Sequence, residues 1–313
     1  MALCVFDIHA DGSASIPTDD ALTGKGVYRW WHFELSEPGL ANWLAERLPP
    51  IPGGSLTQPE TRPRCDRFET GLILNLRGIN LNEGQDNDQM VSVRMWVDSD
   101  VVITVRLRKL FALEEISDQM GAGTPPATTA AFVELLVGKL TTRVQEEVAR
   151  ISTLTEYYED DLEDDSTPIP KDLSVTRRQV IRLRRYLEPQ RIALGKLATV
   201  DLPLMPEPDG LRLREWANRA TLAVEELDAL RERLVTVQDE HDLHVARTQS
   251  RHAFVLSLAA AVFLPLSFLT GLFGVNIAGM PGMTNPAAFT ILCIGMVLLA
   301  CLLLLLFKLR RWL

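Results

Sequence analysis

Phe254 to Ile277, FVLSLAAAVFLPLSFLTGLFGVNI, runs for about two dozen residues without a charged side chain. A second uncharged run, Ala287 to Phe307 (AAFTILCIGMVLLACLLLLLF), follows after the short linker AGMPGMTNP. Each run meets the roughly 18–20 apolar residues that a helix needs to cross a hydrocarbon core of about 30 Å. The expectation is a membrane hairpin with everything before residue 253 attached to it. No apolar leader opens the chain, because Asp7 and Asp11 interrupt MALCVFDIHADG, so the large N-terminal part is expected to stay in the cytoplasm.

Basic residues set the expected orientation. Arg247 and Arg251 precede the first run, Lys308, Arg310 and Arg311 follow the second, and the linker carries no charge. Positive charge is retained on the cytoplasmic side, so both termini are expected there. Trp312 has the placing of an interfacial anchor. Cys4, Cys65, Cys293 and Cys301 have no CxxC spacing, which fits a reducing compartment rather than a disulfide framework. The formal net charge of −9 argues against a nucleic-acid partner and is compatible with attracting cations.

Residues 1–208 read as a cytoplasmic α/β domain with long helices. Strands are expected at Leu3–Ile8, Val27–Glu34, Gly71–Ile79, Val91–Val97 and Val101–Leu107, each β-branched or aromatic and bounded by turn formers. Asp98 to Asp100 makes a turn between the last two. Helices are expected at Pro38–Leu48, Lys109–Met120, Thr129–Asp161 and Leu173–Leu197, the last kinked by Pro189. Pro49–Pro63, rich in proline and glycine, reads as loop. The acidic run EDDLEDD, Glu159–Asp165, reads as a solvated helix end or as the partner of the Arg-rich start of the next helix.

After the break DLPLMPEPDG no strong breaker occurs before Gly274 except Pro265. One helix of about 65 residues is expected, roughly 95 Å long at 1.5 Å per residue. Residues 209–252 form its stalk part and 253–276 the first transmembrane helix. Residues 277–286 form the outer linker, 287–307 the second transmembrane helix and 308–313 a basic tail. A stalk of that length needs oligomerisation to be stable.

Two stripes run along this helix. Trp216, Ala220, Ala223, Leu227, Leu230, Leu234 and Val237 make an apolar packing seam. It continues into His241 and His244, whose i, i+3 spacing suits either a structural role or weak Zn²⁺ chelation. The second stripe, nearly opposite, carries Glu225, Asp228, Glu232, Asp239 and Asp242 with no base on the same face. In the span it continues as Ala253, Leu256, Ala260, Phe263, Ser267, Thr270 and Gly274, mostly small or hydroxylated. Two readings fit this stripe: the lumen face of an oligomeric pore, or solvated carboxylates followed by close helix packing.

Gly274-Val275-Asn276, followed by Ile277-Ala278-Gly279-Met280-Pro281-Gly282, resembles the Gly-x-Asn signature of the CorA metal-ion transporter superfamily and looks most like its zinc-transporter branch, ZntB. Arg62 to Arg64, Leu74 to Asn80, Met90 to Trp96 and Ile103 to Arg106 are similar to the same branch, so the resemblance spans nearly the whole chain. It implies a homopentamer with a cytoplasmic funnel. One long helix per subunit would line the pore, the second span would form an outer ring, and an Asn276 ring would meet a hydrated cation at the outer entrance. The linker lacks the acidic residues common in magnesium channels, which agrees with the zinc branch. The expectation is transport of Zn²⁺ or a broader set of divalent cations across the inner membrane of a bacterium, with proton coupling implied by resemblance only. The alternative is a Mg²⁺/Co²⁺/Ni²⁺ channel of CorA type. His241, His244 and His252 are the proton-carrier candidates, because neither span holds a charge. A membrane-anchored enzyme is disfavoured by the lack of GxGxxG, GxxxxGK[ST], GxSxG and HExxH, so no catalytic residue and no cofactor beyond the transported ion are expected. A membrane-tethered scaffold is the third class, to be separated from a transporter by ion flux.

Overall fold

The structure is a computed structural model that describes residues 1–162, 172–205, 207–275, 282 and 285–310. Asn276, most of the linker after it, Glu163 to Asp165 of the acidic run, Arg311 and Trp312 lie outside the described residues. The chain divides into two compact units, Met1–Gln238 and Asp239–Leu313.

The first unit is built on a seven-stranded sheet. Its strands are β1 (Cys4–Ile8), β2 (Ala14–Ser15), β3 (Tyr28–Glu34), β4 (Arg64–Phe68), β5 (Gly71–Gly78), β6 (Val91–Val97) and β7 (Val101–Arg106). They lie in the order β2-β1-β3-β7-β6-β5-β4. Only β3 and β7 pair in parallel, with Trp30 beside Val102, and the other neighbours are antiparallel. The expected β6–β7 hairpin is present, closed by Asp98 N–H donating to Val101 O at 2.9 Å.

Alternation along the strands feeds two cores, because successive side chains point to opposite faces. Tyr28, Trp30, Leu72, Leu74, Leu76, Val93, Met95 and Val102 pack on one face, under α3 (Phe111–Gly121), α4 (Thr129–Leu162), α5 (Leu173–Ala198) and the start of α6 (Glu207–Phe273). Trp31, Phe33, Ile73, Trp96, Ile103 and Val105 pack on the other, under α1 (Leu40–Arg47) and α2 (Pro50–Leu56). Helices therefore cover both faces of a mixed sheet.

Pro49–Pro63 is not all loop: it contains α2, and β4 begins directly after it. The prolines of α2 sit at its first turn, where the missing N–H costs nothing. Burial of Pro52, Gly53 and Leu56 overrides the poor helix propensity of PIPGGSL. β4, RCDRF, is a charged edge strand with only Cys65 buried, so its apolar alternation is too short to read.

A further core joins α4, α5 and α6. Val144, Val148 and Ile151 of α4 and Val180, Leu183 and Leu187 of α5 meet Ala223, Leu227, Leu230, Leu234 and Val237 of α6. The apolar seam is thus packed as expected, and each leucine buried there contributes about 1.5–3 kcal/mol. The α4–α5 pair is antiparallel. Tyr158 Oη lies 3.1 Å from Thr176 Oγ1, and Gln179 Nε2 donates to Glu147 Oε1 at 2.5 Å. Of the acidic run, Glu159 meets Arg233 of α6, at 2.8 Å from Nε, rather than the start of α5.

The second unit holds the end of α6, to Phe273, and α7 (Ala288–Leu309). Both helices are long and apolar enough to cross a membrane.

Candidate pore face and entrance

The site begins with the regularity of α6. Glu207–Phe273 is one uninterrupted helix, with Pro265 inside it. Residues at i, i+3, i+4 and i+7 share a helix face. The expected acidic stripe is therefore a real row on α6. Glu225, Glu232, Asp239 and Asp242 are exposed, and Asp228 is half-buried.

Asp228 is not a free carboxylate. Arg184 of α5 grips it from both ends of its guanidinium fork, with Nη2 3.2 Å from Oδ2 and Nε on Oδ1. This hydrogen bond and charge hold Arg184 above its ordinary range. Arg191, one heptad along α5, is raised mainly by Glu188 and also by the charge of Glu225. Two bases that face the acidic stripe thus come from another helix. The sequence offered the Arg-rich start of α5 only as a possible partner for EDDLEDD and gave no sign that Arg184, farther along α5, would pair with Asp228 of α6.

His241 and His244 are both half-buried. His241 Nδ1 lies 3.9 Å from Asp242 Oδ1 and has no hydrogen-bond partner. Among the described residues no three His, Cys, Asp or Glu side chains come together as a metal-holding group.

In the second unit, Ala253, Leu256, Ala260, Phe263, Ser267 and Thr270 are all exposed, with Leu256 at 71% and Phe263 at 65%. Leu258, Val262, Pro265 and Leu269, which point to another side of the helix, are half-buried. On α7 the half-buried row is Ala288, Leu292, Met296, Leu299, Leu303 and Phe307. The face proposed for the pore is thus left uncovered by this chain, while a different face of the same helix is partly covered.

Thr270 Oγ1 donates to Ser267 O at 3.0 Å, which quiets the hydroxyl within the helix and leaves its lone pairs outward. The helix ends in a tight turn. Gly274 N–H donates to Thr270 O at 2.9 Å and lies 3.3 Å from Gly271 O. A Cβ at Gly274 would sit 2.9 Å from Thr270 O, so only glycine closes the helix this way without displacing backbone. Val275 is exposed beyond it.

Comparison with known proteins places this arrangement. The model of the family described as "CorA-like Mg2+ transporter protein" matches residues 25–310. A zinc transport protein ZntB of Yersinia enterocolitica is 31% identical over 299 residues, covering 94% of this chain and 91% of that protein. The full-length CmaX protein superposes with a TM-score of 0.87 at 30% identity, over 99% of this chain and 98% of the other. The CorA magnesium transporter of Methanocaldococcus jannaschii shares the fold, with a TM-score of 0.78 at 14% identity and complete coverage of both chains. With an α/β domain, one long helix and two C-terminal apolar helices in the family's order, the chain belongs to the CorA-like Mg²⁺ transporter family.

Proposed function

We propose that the chain carries divalent metal cations, Zn²⁺ first among them, across the cytoplasmic membrane along the axis of a homopentamer. The observation that carries the reading is the exposed row from Ala253 to Thr270 on an uncharged stretch of α6, in the same helix as the acidic row from Glu225 to Asp242. Relatives named zinc transport proteins support Zn²⁺ as the cargo.

Each part of the row has a separate task. Exposed carboxylates raise the local cation concentration. The hydroxyls of Ser267 and Thr270 accept hydrogen bonds from the ion's water shell without binding the ion tightly. Gly274, Val275 and Asn276 form the outer entrance, where five carboxamides meet the hydrated ion. Residues 1–208 form the cytoplasmic domain, 209–252 the stalk, 253–276 and 287–307 the spans, 277–286 the outer linker, and 308–313 the tail. Arg247, Arg251, Lys308 and Arg310 keep both ends cytoplasmic. His241, His244 and His252 are assigned as proton acceptors coupled to transport, with metal chelation by His241 and His244 a lesser role.

Zn²⁺ flux into proteoliposomes, measured with and without a pH gradient and against Mg²⁺, tests the reading. Zn²⁺ flux that rises with the gradient and is lost in Asn276→Ala supports it. Wild-type flux in Asn276→Ala removes the entrance role, and zero flux for every divalent ion removes transport. The family's magnesium description keeps a second reading, a Mg²⁺/Co²⁺/Ni²⁺ channel, which gradient-independent Mg²⁺ flux would favour.

A further inference from the structure

Away from the pore face, the first unit encloses a cleft of about 930 Å³ between the end of β5, the start of β6, the end of β7 and the middle of α5. In a chain of net charge −9 its wall is basic. Arg62, Arg77, Arg108, Arg182 and Arg185 line it, against Glu60 and Asp88.

Two of the nearby arginines have a structural task. Arg77 donates to Met90 O at 2.9 Å and Thr61 O at 2.8 Å. Arg94, fully buried behind the cleft, donates to Gln58 O at 2.8 Å and Pro59 O at 2.9 Å. Together they pin the segment between α2 and β4.

That task does not account for the rest. Arg77 lies 4.1 Å over the Tyr186 ring and Arg185 lies 5.7 Å from the same ring, so one aromatic side chain holds two guanidinium groups near each other. Burial lowers the pKa of Arg77, Tyr186 opposes it, the charge of Arg185 lowers it further, and the charge of Glu60 works against that. Arg94 is lowered by burial and then by Arg77. Among the described residues Arg62 and Arg185 have no carboxylate within ion-pair distance, and Arg108 reaches only the neutral Gln85 Oε1, at 3.1 Å. The heads of Arg62, Arg108 and Arg185 are exposed. Like charges gathered without counter-charge are destabilising unless an anion comes between them, and guanidinium forks match phosphate oxygens in pairs.

One wall differs. Asp88 is buried, and Arg182 Nη1 reaches its Oδ2 at 3.1 Å. Its Oδ1 is buried without a hydrogen-bond partner. A carboxylate oxygen in that state calls for a donor from a ligand, such as a hydroxyl.

We infer that this cleft binds a phosphorylated small molecule that also carries a free hydroxyl, of the nucleoside diphosphate class. Its phosphates lie against Arg62, Arg108 and Arg185, and its hydroxyl donates to Asp88. The volume falls in the range of about 300–1,000 Å³ that such ligands occupy. The site is independent of the transported ion.

The full chain in detergent micelles, titrated calorimetrically with ADP and separately with inorganic pyrophosphate at about 0.1 M salt, provides the test. Both probes are expected to bind saturably. Arg62→Glu and Arg185→Glu should each weaken both by about tenfold or more, while Arg185→Lys stays within a few-fold of wild type. Asp88→Asn should weaken ADP and spare pyrophosphate. Arg212→Glu, an exposed charge reversal outside the cleft, should change neither. Thermal midpoints equal to wild type show that the exposed Arg62 and Arg185 variants remain folded. The inference is overturned if neither probe saturates, if ADP binds but pyrophosphate does not, or if Arg62→Glu and Arg185→Glu bind as wild type does.

Discussion

The carboxamide of Gln190 pairs with both backbone groups of Arg77. Gln190 Oε1 accepts from Arg77 N–H at 2.7 Å, and its Nε2 donates to Arg77 O at 3.0 Å. A buried side chain of α5 thus satisfies one residue of β5 as a neighbouring strand would. Gln190→Leu strands a donor and an acceptor in the interior and should cost about 2–4 kcal/mol. Thermal unfolding of the full chain in micelles, followed by tryptophan fluorescence, should show a midpoint about 5–10 °C lower. An unchanged midpoint would mean that water replaces the carboxamide without loss.

Trp216 fixes α6 against α4 through a missing side chain. Its indole N–H donates to Glu134 Oε1 at 2.7 Å, and its ring covers Gly138, where a Cβ would stand 2.8 Å from Cζ2. Gly138→Val should therefore push the ring off and cost about 1–3 kcal/mol through overpacking. Trp216→Leu relieves the crowding, so the double variant should lose less than the two single losses added together. Strict additivity in a double-mutant cycle would contradict this contact.

His32 makes stability depend on acid. Its Nδ1 lies 2.8 Å from Thr104 Oγ1, which also accepts from Trp30 Nε1 at 2.9 Å and faces Trp31 O at 3.3 Å. The hydroxyl's single proton goes to Trp31 O, so a neutral His32 with its hydrogen on Nδ1 completes the set. Burial, helped by the charge of Arg106 and opposed by a hydrogen bond at Thr104 and by the charge of Glu114, takes the ring down to about 4 from 6.5. The unfolded chain then binds more protons between pH 6.5 and 4, and stability falls as pH falls through that window. The slope due to this ring is at most about 1.4 kcal/mol per pH unit. His32→Gln should flatten the decline of urea midpoints over that range, and an identical decline in the variant would assign it to other groups.

Asp228 and Glu232 share the acidic row but not the same charge environment. Arg184 neutralises Asp228, whereas Glu232 is exposed. If the row concentrates cations, Glu232→Gln should reduce initial Zn²⁺ flux at low ionic strength by about two- to threefold, and the loss should fade at high salt. Asp228→Asn should change flux less, and lower the thermal midpoint through its lost ion pair. Equal flux losses in the two variants would show that the pairing does not screen Asp228.

Gly274 closes the last turn of α6 against the Thr270 carbonyl. Gly274→Val should force that carbonyl aside, move the residues that follow, and cut ion flux by about tenfold or more, since small misplacements in a reaction or permeation path are costly. The thermal midpoint should stay close to wild type, because Gly274 is exposed. Full flux in Gly274→Val would show that the entrance tolerates a different helix end.

Legibility in the sequence followed the range of the interaction. The strands β1, β3, β5, β6 and β7 were readable, because each is a run of β-branched or aromatic residues between turn formers whatever it packs against. The seam of α6 was readable because Leu227, Leu230 and Leu234 repeat with the helix period. β4 and α2 were not. Their residues take those conformations through contacts made from elsewhere, such as the register of Cys65 with Leu74 and the packing of Leu56 beneath the sheet. At the candidate site, the acidic and small-residue rows were readable on one helix, while the Arg184 partner of Asp228 was not, since it arrives from 44 residues away.

By itself, the sequence determined the two apolar spans, the one long helix, its two stripes and the Gly-Val-Asn end. The spans, the helix and its stripes rest on local hydrophobic period and on the charge-free length that a bilayer demands, and the Gly-Val-Asn end on its resemblance to the family signature. Only the tertiary structure decided the strand order with its single parallel pair, the neutralisation of Asp228, and the basic cleft beside Tyr186. Those depend on which distant segments meet, and a pairing between segments far apart in the chain leaves no periodic trace in either one.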